Sequence, residues 1–344
     1  MSWQAILLAI LGLGLLMVVH ESGHYFIARA FHLRVLRFSI GFGPAIWRHQ
    51  SKETGTVFQL AIIPFIAYVQ IAGMNPFEDP DPNDRGSYMN ASLTARISTV
   101  VAGSLANYLF ASVLFFAAFV LGGQQVLTSV VKIAPGGAAE AAQMRDGDEI
   151  VRIGEQRIED FEQMREIIVA SAGKELAVTV LRSGEEVPLK VTPRAQPGNA
   201  GGLIGVSPMS TRRVPVSLRD ASIMSITEPA AVVYQLVATL GRIITGQDKP
   251  DLSGPVGIGK KIGEAYSQGV GSYLYILGVL SAYLGGFNLL PVPALDGGRL
   301  MFLVYEGVAR RKPNARIEAH IHAIGLLMFL ALMVVVSVFD IRRE

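Results

Sequence analysis

Four long segments without charged side chains constrain the fold of this chain more than any other feature. From Ala5 to Val19 every residue is apolar, and a helix continued to Ala28 has 24 residues, about 36 Å at the helical rise. This length is enough to cross a bilayer. Three further segments lack Asp, Glu, Lys and Arg and contain long apolar runs: those between Arg96 and Lys132, Glu264 and Asp296, and Glu318 and Asp340. The sequence therefore predicts a multi-spanning α-helical membrane protein with four transmembrane helices.

Composition agrees with a membrane protein and excludes several kinds of site. Apolar residues make up 51% of the 344 residues, and charged residues only 17%. The net charge of +2 is too small to indicate binding to nucleic acid. The chain has no cysteine, which excludes disulfides, thiolate zinc ligands and cysteine nucleophiles. A metal ion must therefore be bound by His, Asp or Glu.

The basic residues between the spans predict the orientation. One group follows the first span and a second precedes the fourth: Arg29, Arg34, Arg37, Arg48 and Lys52, then Arg310, Arg311, Lys312 and Arg316. Both loops are expected in the cytosol by the positive-inside rule, so the middle of the chain and both termini lie outside. Arg342 and Arg343 depart from this rule. A cleaved signal peptide is the competing interpretation of the first span, but the basic start and small-residue cleavage site are missing.

An H-E-x-x-H motif, His20 to His24, lies inside the first span. Its two imidazoles are four residues apart, so they lie on one helical face and can bind one metal ion beside Glu21. Ionisable side chains within a span cost about 2.5–3.5 kcal/mol each, which favours a bound cation that offsets this cost. Two imidazoles plus one carboxylate leave a fourth zinc position open for water, so Zn²⁺ is the expected ion. A polar patch hydrogen-bonded between helices is the alternative.

The third ligand must come from elsewhere in the chain. The candidates are Asp296, Glu306, Glu318, His320 and His322. Asp296 is preferred because it directly follows an uncharged span in a segment broken by two prolines. Such irregular backbone is tolerated at membrane depth where it is buried or lines a polar cavity. His320 and His322 are two residues apart and point to different helix faces, so they are expected to be interfacial residues.

Three motifs carry a resemblance to a known family. His20–His24 matches a zinc motif, Asn288–Gly298 looks like N-x-x-P-x-x-x-L-D-G-G, and Leu252–Ile258 is similar to the segment that precedes the family's third span. On these motifs the chain resembles the site-2 protease family of intramembrane zinc metalloproteases, particularly its bacterial branch of regulator-of-sigma-E proteases. The resemblance implies that His20, His24 and Asp296 hold Zn²⁺, that Glu21 is the general base, and that Asn288 contacts the substrate backbone.

The resemblance also implies a substrate class and a location. The family cleaves transmembrane segments of single-pass membrane proteins, such as anti-sigma factors or signal-peptide remnants, in regulated intramembrane proteolysis after an upstream site-1 protease has acted. The implied location is the bacterial inner membrane, with the zinc site toward the cytosol. Two departures are that Gly103–Asn107 lacks the family's frequent Gly-Pro, and that one PDZ-like domain is present where the best-known members have two.

Two other functions compete with the protease. A catalytically inactive PDZ membrane scaffold is one alternative, and the intact Glu21 argues against it. A metal transporter is the other, but it would need ionisable residues along several spans. The second span has none.

Two segments between the spans are predicted to contain strands. Leu33–Ala72 has β-rich stretches at Val35–Ile40 and Thr56–Ile63, which predict a membrane-re-entrant β-hairpin element whose edge can pair with an unwound substrate. A solvent-facing loop is the alternative. Val130–Pro193 resembles a PDZ domain. It reads as strand, loop, strand, helix, strand and strand, with the strands and the helix predicted at Val130–Ile133, Glu149–Ile153, Phe161–Ala170, Leu176–Leu181 and Val187–Val191. This extracytoplasmic α+β domain is expected either to capture extended peptides or to obstruct bulky substrates.

These features divide the chain into four parts. Residues 1–123 form an N-terminal membrane part with the zinc-motif helix, the re-entrant element and the second span. Residues 124–194 form the PDZ-like domain. Residues 195–265 form a linker and an interfacial helix over Ala221–Ile244, and residues 266–344 form a C-terminal membrane part with the third zinc ligand.

Overall fold

The chain forms two compact units in a computed structural model that describes residues 3–75, 81, 83–196, 199–248 and 254–342. The first unit joins Met1–Gly122 to Ser217–Glu344, and the second is Gly123–Val216. Leu252 and Ser253, in a segment that carries part of the family resemblance, lie outside the described residues, as does Arg343.

The first unit begins with a long helix and a sheet. The elements are α1 (Trp3–Ala30), β1 (Val35–Gln50), β2 (Val57–Ile71), a 3₁₀ turn (Tyr88–Asn90) and α2 (Leu93–Gly122). The two strands are antiparallel and bent, because Phe38 pairs with both Phe58 and Val69, and Phe58 pairs in turn with His49. The result is a sheet of four segments with residues 67–71 at one edge. The structure thus confirms β-structure over both predicted stretches, whereas its entry into the membrane stays a prediction.

The second unit is built on an antiparallel sheet. Its elements are β3 (Gln124–Leu127), β4 (Val131–Ile133), α3 (Ala138–Ala141), β5 (Glu149–Ile153), β6 (Gln156–Arg157), α4 (Phe161–Val169), β7 (Leu176–Arg182), β8 (Glu185–Val191), β9 (Arg194–Gln196), β10 (Asn199–Leu203), β11 (Val206–Pro208) and β12 (Thr211–Val214). The sheet has the order β6-β5-β7-β8. Its core includes Val131, Ile150, Met164, Val180 and Val191.

The second unit extends further than the sequence indicated. Residues 195–214 were predicted as part of a linker, but β11 pairs with β4 and β12 pairs with β3. Ile204 is buried in the core of the same unit. Gly205, with φ +78°, lies between β10 and β11, whereas Gly201 and Gly202 lie inside β10 and Pro208 ends β11.

The first unit continues with five helices. They are α5 (Leu218–Ile244), α6 (Pro255–Ser267), α7 (Val270–Asn288), α8 (Asp296–Ala309) and α9 (Ala315–Arg342). By length and composition, five described helices are apolar enough to cross a membrane: α1, α2, α5, α7 and residues 316–340 of α9. Four of them coincide with the predicted spans. The fifth is α5, whose predicted position at the membrane interface stays a prediction.

Glycines at every seventh residue bring α7 against α2. A Cβ built on Gly271 would lie 3.0 Å from the backbone N of Gly122, and one on Gly278 would lie 3.0 Å from the ring of Phe115. On Gly285 it would lie 2.8 Å from a carbonyl oxygen of α2. Seven residues are about two helical turns, so the three glycines share one face and let the two backbones approach closely.

Candidate metal centre

The first two donor atoms of the site come from α1. His20 and His24 are both buried, and their Nε2 atoms lie 3.2 Å apart. This proximity follows from the four-residue spacing, which places both rings on the same helical face.

The third donor is the first residue of α8. Asp296 Oδ2 lies 3.1 Å from His20 Nε2 and 3.3 Å from His24 Nε2. The connection from α7 folds back over the start of α8, because a Cβ on Gly297 would lie 2.5 Å from the carbonyl carbon of Leu289. The two glycines after Asp296 therefore allow the close approach that carries the carboxylate to α1.

The three donors fit a zinc ion. Their separations of 3.1, 3.2 and 3.3 Å match the spacing of about 3.3 Å expected for donors about 2.0–2.1 Å from a tetrahedral zinc. Asp296 Oδ2 is also buried without a hydrogen-bond donor among the described residues. Its contacts with two imidazole nitrogens are favourable only when an Nε2 atom carries a proton or a cation lies among the three atoms. A divalent cation would satisfy all three donor atoms at once.

Two groups on α2 orient the imidazoles. His24 Nδ1 donates to the Thr99 carbonyl at 2.7 Å, which leaves the Nε2 lone pair for a metal. The Asn107 amide lies 3.4 Å from His20 Nδ1, and its Oδ1 is buried without a partner among the described residues. Exchanging the two amide atoms would let Oδ1 accept from Nδ1–H of His20. Sequence reasoning did not assign these roles, although Asn107 is the only amide side chain in α2.

Small residues let α1 and α2 meet at the site. A Cβ on Gly103 would lie 2.8 Å from His20 Cε1 and nearer still to the His24 ring. A Cβ on Gly23 would lie 2.7 Å from the carbonyl carbon of Ala102. Glycine at these two positions is therefore needed for the imidazoles to pack against α2.

Glu21 lies beside the donors but does not belong to them. Its Oε2 accepts a hydrogen bond of 2.9 Å from the backbone N–H of Val69 in β2. A cavity of about 470 Å³ adjoins it, lined by His20, Glu21, His24, Tyr68, Val69, Gln70, Ile71, Met74, Asn75, Asp296 and Arg299. A peptide in this cavity would contact the carboxylate, the three donors and the sheet edge together.

Asn288 reaches the same site from the last residue of α7. Its Nδ2 lies 3.5 Å from His20 Nε2. An amide side chain at this distance has a donor and an acceptor available to a bound peptide. The structure thus places Asn288 next to the donors, while its contact with the substrate backbone stays a prediction.

The other four ligand candidates lie outside the donor cluster. Glu306 forms a two-bond ion pair with the buried Arg96, at 2.5 and 2.9 Å. His320 Nδ1 bonds to the carbonyl of Arg316 in its own helix, and His322 Nδ1 accepts from the N–H of Ala294. Glu318 lines a separate cavity of about 350 Å³. Among the described residues, only His20, His24 and Asp296 form a cluster suited to a metal.

Comparison with known proteins finds relatives over nearly the whole chain. The family model of peptidase family M50 matches residues 8–332. The chain is 30% identical to metalloprotease MmpA of Caulobacter vibrioides, over 96% of this chain and 94% of the relative. It is 29% identical to zinc metalloprotease RasP of Geobacillus kaustophilus, over 99% of this chain and 98% of the relative. It is 26% identical to regulator of sigma-E protease RseP of Escherichia coli, over 97% of both chains.

The relatives are not all of the same length. The alignment with RseP runs over 442 positions, whereas this chain has 344 residues. RseP therefore contains long segments without a counterpart here.

Proposed function

This chain belongs to peptidase family M50, and on that premise we propose that it hydrolyses a peptide bond within the transmembrane segment of another membrane protein. That it is a zinc metalloprotease follows from the family and from its named relatives. The intramembrane substrate is supported by the position of His20 and His24 in a helix apolar enough to cross a membrane. A catalytic centre there meets its substrate at membrane depth.

We assign the metal to His20, His24 and Asp296. Zinc supplies a Lewis acid for the substrate carbonyl and the attacking water when it is bound. The Val69 N–H holds Glu21 Oε2 in place and leaves the second carboxylate oxygen for proton transfer. Glu21 accepts the proton of the attacking water and passes it to the leaving amine. Asn288 hydrogen-bonds the substrate backbone next to His20.

A substrate helix must unwind before it can be cut. Its carbonyls are held in hydrogen bonds to the residue four positions later, so the scissile bond is not accessible in the helical form. Residues 67–71 form a sheet edge, and the Val69 N–H points away from the sheet toward Glu21. An extended substrate segment added beside this edge replaces its lost hydrogen bonds and lies along the metal centre.

One experiment tests the activity directly. The full-length protein is reconstituted in lipid vesicles with a reporter that carries one transmembrane segment, and zinc content and cleavage are measured together. The wild type is expected to hold about one zinc per chain and to cut within the segment, whereas Glu21→Gln is expected to hold zinc without cutting. A wild type that binds zinc and cuts no reporter would instead favour the inactive scaffold.

We also propose that the second unit is a PDZ-like domain outside the cell membrane that restrains cleavage. On this proposal a substrate is first shortened by a site-1 protease, because a bulky external domain of the substrate would collide with this folded unit. Its antiparallel sheet with α4 alongside supports capture of an extended peptide as the other role.

The structure defines how this unit can be removed. β12 pairs with β3 so that Val214 lies opposite Gln124, which places their Cα atoms about 5 Å apart. Deleting residues 124–214 and joining the ends with a short Gly-Ser linker therefore leaves the first unit unstrained. The deletion is expected to cut an untrimmed substrate in membranes without the site-1 protease, with Glu21 still required. If a stable deletion still refuses that substrate, the restraint does not lie in this unit.

A further inference from the structure

His322 is attached to the backbone that carries Asp296. Its Nδ1 accepts a hydrogen bond of 3.1 Å from the N–H of Ala294. Ala294 lies in the connection 289–295 between α7 and α8, two residues before Asp296. His322 itself is on α9, outside the three-donor cluster.

The connection has a conformation that needs external support. Ala294 has φ +75°, in the left-handed region that side chains other than glycine rarely adopt. Such a residue is strained and persists only when its surroundings hold it in place. The hydrogen bond from Ala294 to His322 is one such restraint, and it acts at the strained residue itself.

A second contact between α9 and the connection lies three residues further along the helix. A Cβ on Gly325 would lie 2.9 Å from the carbonyl carbon of Pro293. Residues three apart share a helix face, so His322 and Gly325 meet the connection together. On the other side, a Cβ on Gly298 would lie 3.2 Å from His322 Cε1. The imidazole therefore lies between Ala294 and the start of α8.

We propose that His322 is a positioning residue for the metal centre, which holds Ala294 and thereby fixes the Asp296 carboxylate toward His20 and His24. This role rests on the proposed function, in which Asp296 binds zinc. Groups that orient a metal ligand from outside the donor set are typically worth about 10–100-fold in metal affinity.

Two substitutions of His322, by Asn and by Gln, distinguish the hydrogen bond to Ala294 from the space that the side chain fills. Asn places an acceptor oxygen where His has Nδ1, and Gln places its amide where His has Nε2. Zinc affinity of the full-length protein in detergent is measured by competition with a chelator. His322→Asn is expected to bind zinc nearly as the wild type does, whereas His322→Gln and His322→Leu bind about tenfold more weakly. His320→Leu is the matched control, because His320 bonds within α9 and is exposed.

The melting temperature of each zinc-free protein shows whether an effect is general. A positioning role predicts equal melting of the Asn and Gln variants with different zinc affinities. If both bind zinc as tightly as the wild type, or if both lose it equally, the proposal is wrong. The Asn and Gln pair decides even if His322→Leu does not fold. Retention of zinc by Asp296→Ala would instead overturn the ligand set itself, which separates the two failures.

Discussion

Glu21 Oε2 accepts a hydrogen bond of 2.9 Å from the backbone N–H of Val69. This bond joins the expected proton-transfer group on α1 to the edge of the sheet where we place the substrate. A peptide segment added at that edge would therefore lie within reach of the carboxylate without a rearrangement of α1.

Substitutions at the site are expected to separate zinc binding from turnover. Glu21→Gln retains zinc, because Glu21 lies outside the donor cluster, and loses at least about 100-fold in cleavage. His24→Ala and Asp296→Ala lose both. Zinc analysis of the three purified proteins, with reporter cleavage measured in parallel, checks this expectation. Normal turnover by Glu21→Gln would rule out the assigned proton transfer.

Asn107→Leu is expected to weaken zinc binding about 10–100-fold, because it removes the group beside His20 Nδ1. Ser104→Ala is the matched control. Its hydroxyl is also buried on α2, but has no hydrogen-bond partner among the described residues. Chelator competition on the two variants measures the difference. Equal zinc affinities would show that Asn107 does not orient the imidazole.

Gly103→Ala is expected to lower the free energy of unfolding by about 1–3 kcal/mol and to weaken zinc binding, because the added methyl overlaps both imidazoles. Gly241→Ala in α5 provides a contrast, since a Cβ there meets nothing within 4 Å. That change is expected to stabilise its helix by about 0.5–1 kcal/mol. Thermal unfolding in detergent, with and without zinc, tests both. An unperturbed Gly103→Ala protein would contradict the close packing of α1 and α2.

Asp148 is expected to make the second unit sensitive to acid. Its burial raises the pKa, but hydrogen bonds from the Arg182 guanidinium and the Arg145 N–H outweigh this and hold the pKa below its usual range. The stabilisation is therefore present above the unfolded pKa of about 3.9 and is lost as the pH falls through the lower folded value.

Hydrogen exchange of β5 and β7 in the full-length protein measures this effect. In the wild type, protection of these strands is expected to decrease as the pH is lowered. In Asp148→Asn, protection is expected to be low already at neutral pH. Glu185→Gln, an exposed change in the same sheet, is expected to behave as the wild type. An identical pH profile for Asp148→Asn would show that the carboxylate does not stabilise the unit.

The predicted orientation can be tested by labelling single introduced cysteines, because the chain has no cysteine of its own. A cysteine at Glu155 is expected to react with an impermeant reagent in intact cells. A cysteine at Arg311 is expected to react only after the membrane is broken. Both positions are exposed. The reverse pattern would invert the topology.

The sequence predicted the donor set because its signals are local. His20 and His24 are four residues apart, and Asp296 stands directly after a helix broken by prolines. The groups that orient these donors gave no such signal. Asn107 and His322 act through contacts between residues far apart in the chain, which no local spacing in the sequence marks.

The extent of the second unit was missed for a similar reason. Pairing of β12 with β3 joins residues more than 80 positions apart, and a strand of four residues carries little periodic pattern. The strands β5, β7 and β8, by contrast, lie close to their predicted bounds, because each contains β-branched residues in a short local run.

The distance in sequence between the first and third donors has a consequence for biosynthesis. His20 and His24 are carried by α1, whereas Asp296 follows His20 by 276 residues. A nascent chain that has inserted only its first helices holds two donors without the carboxylate that completes them. The three-donor cluster is therefore complete only after α8 has been synthesised, and fragments of the chain that end before α8 lack it.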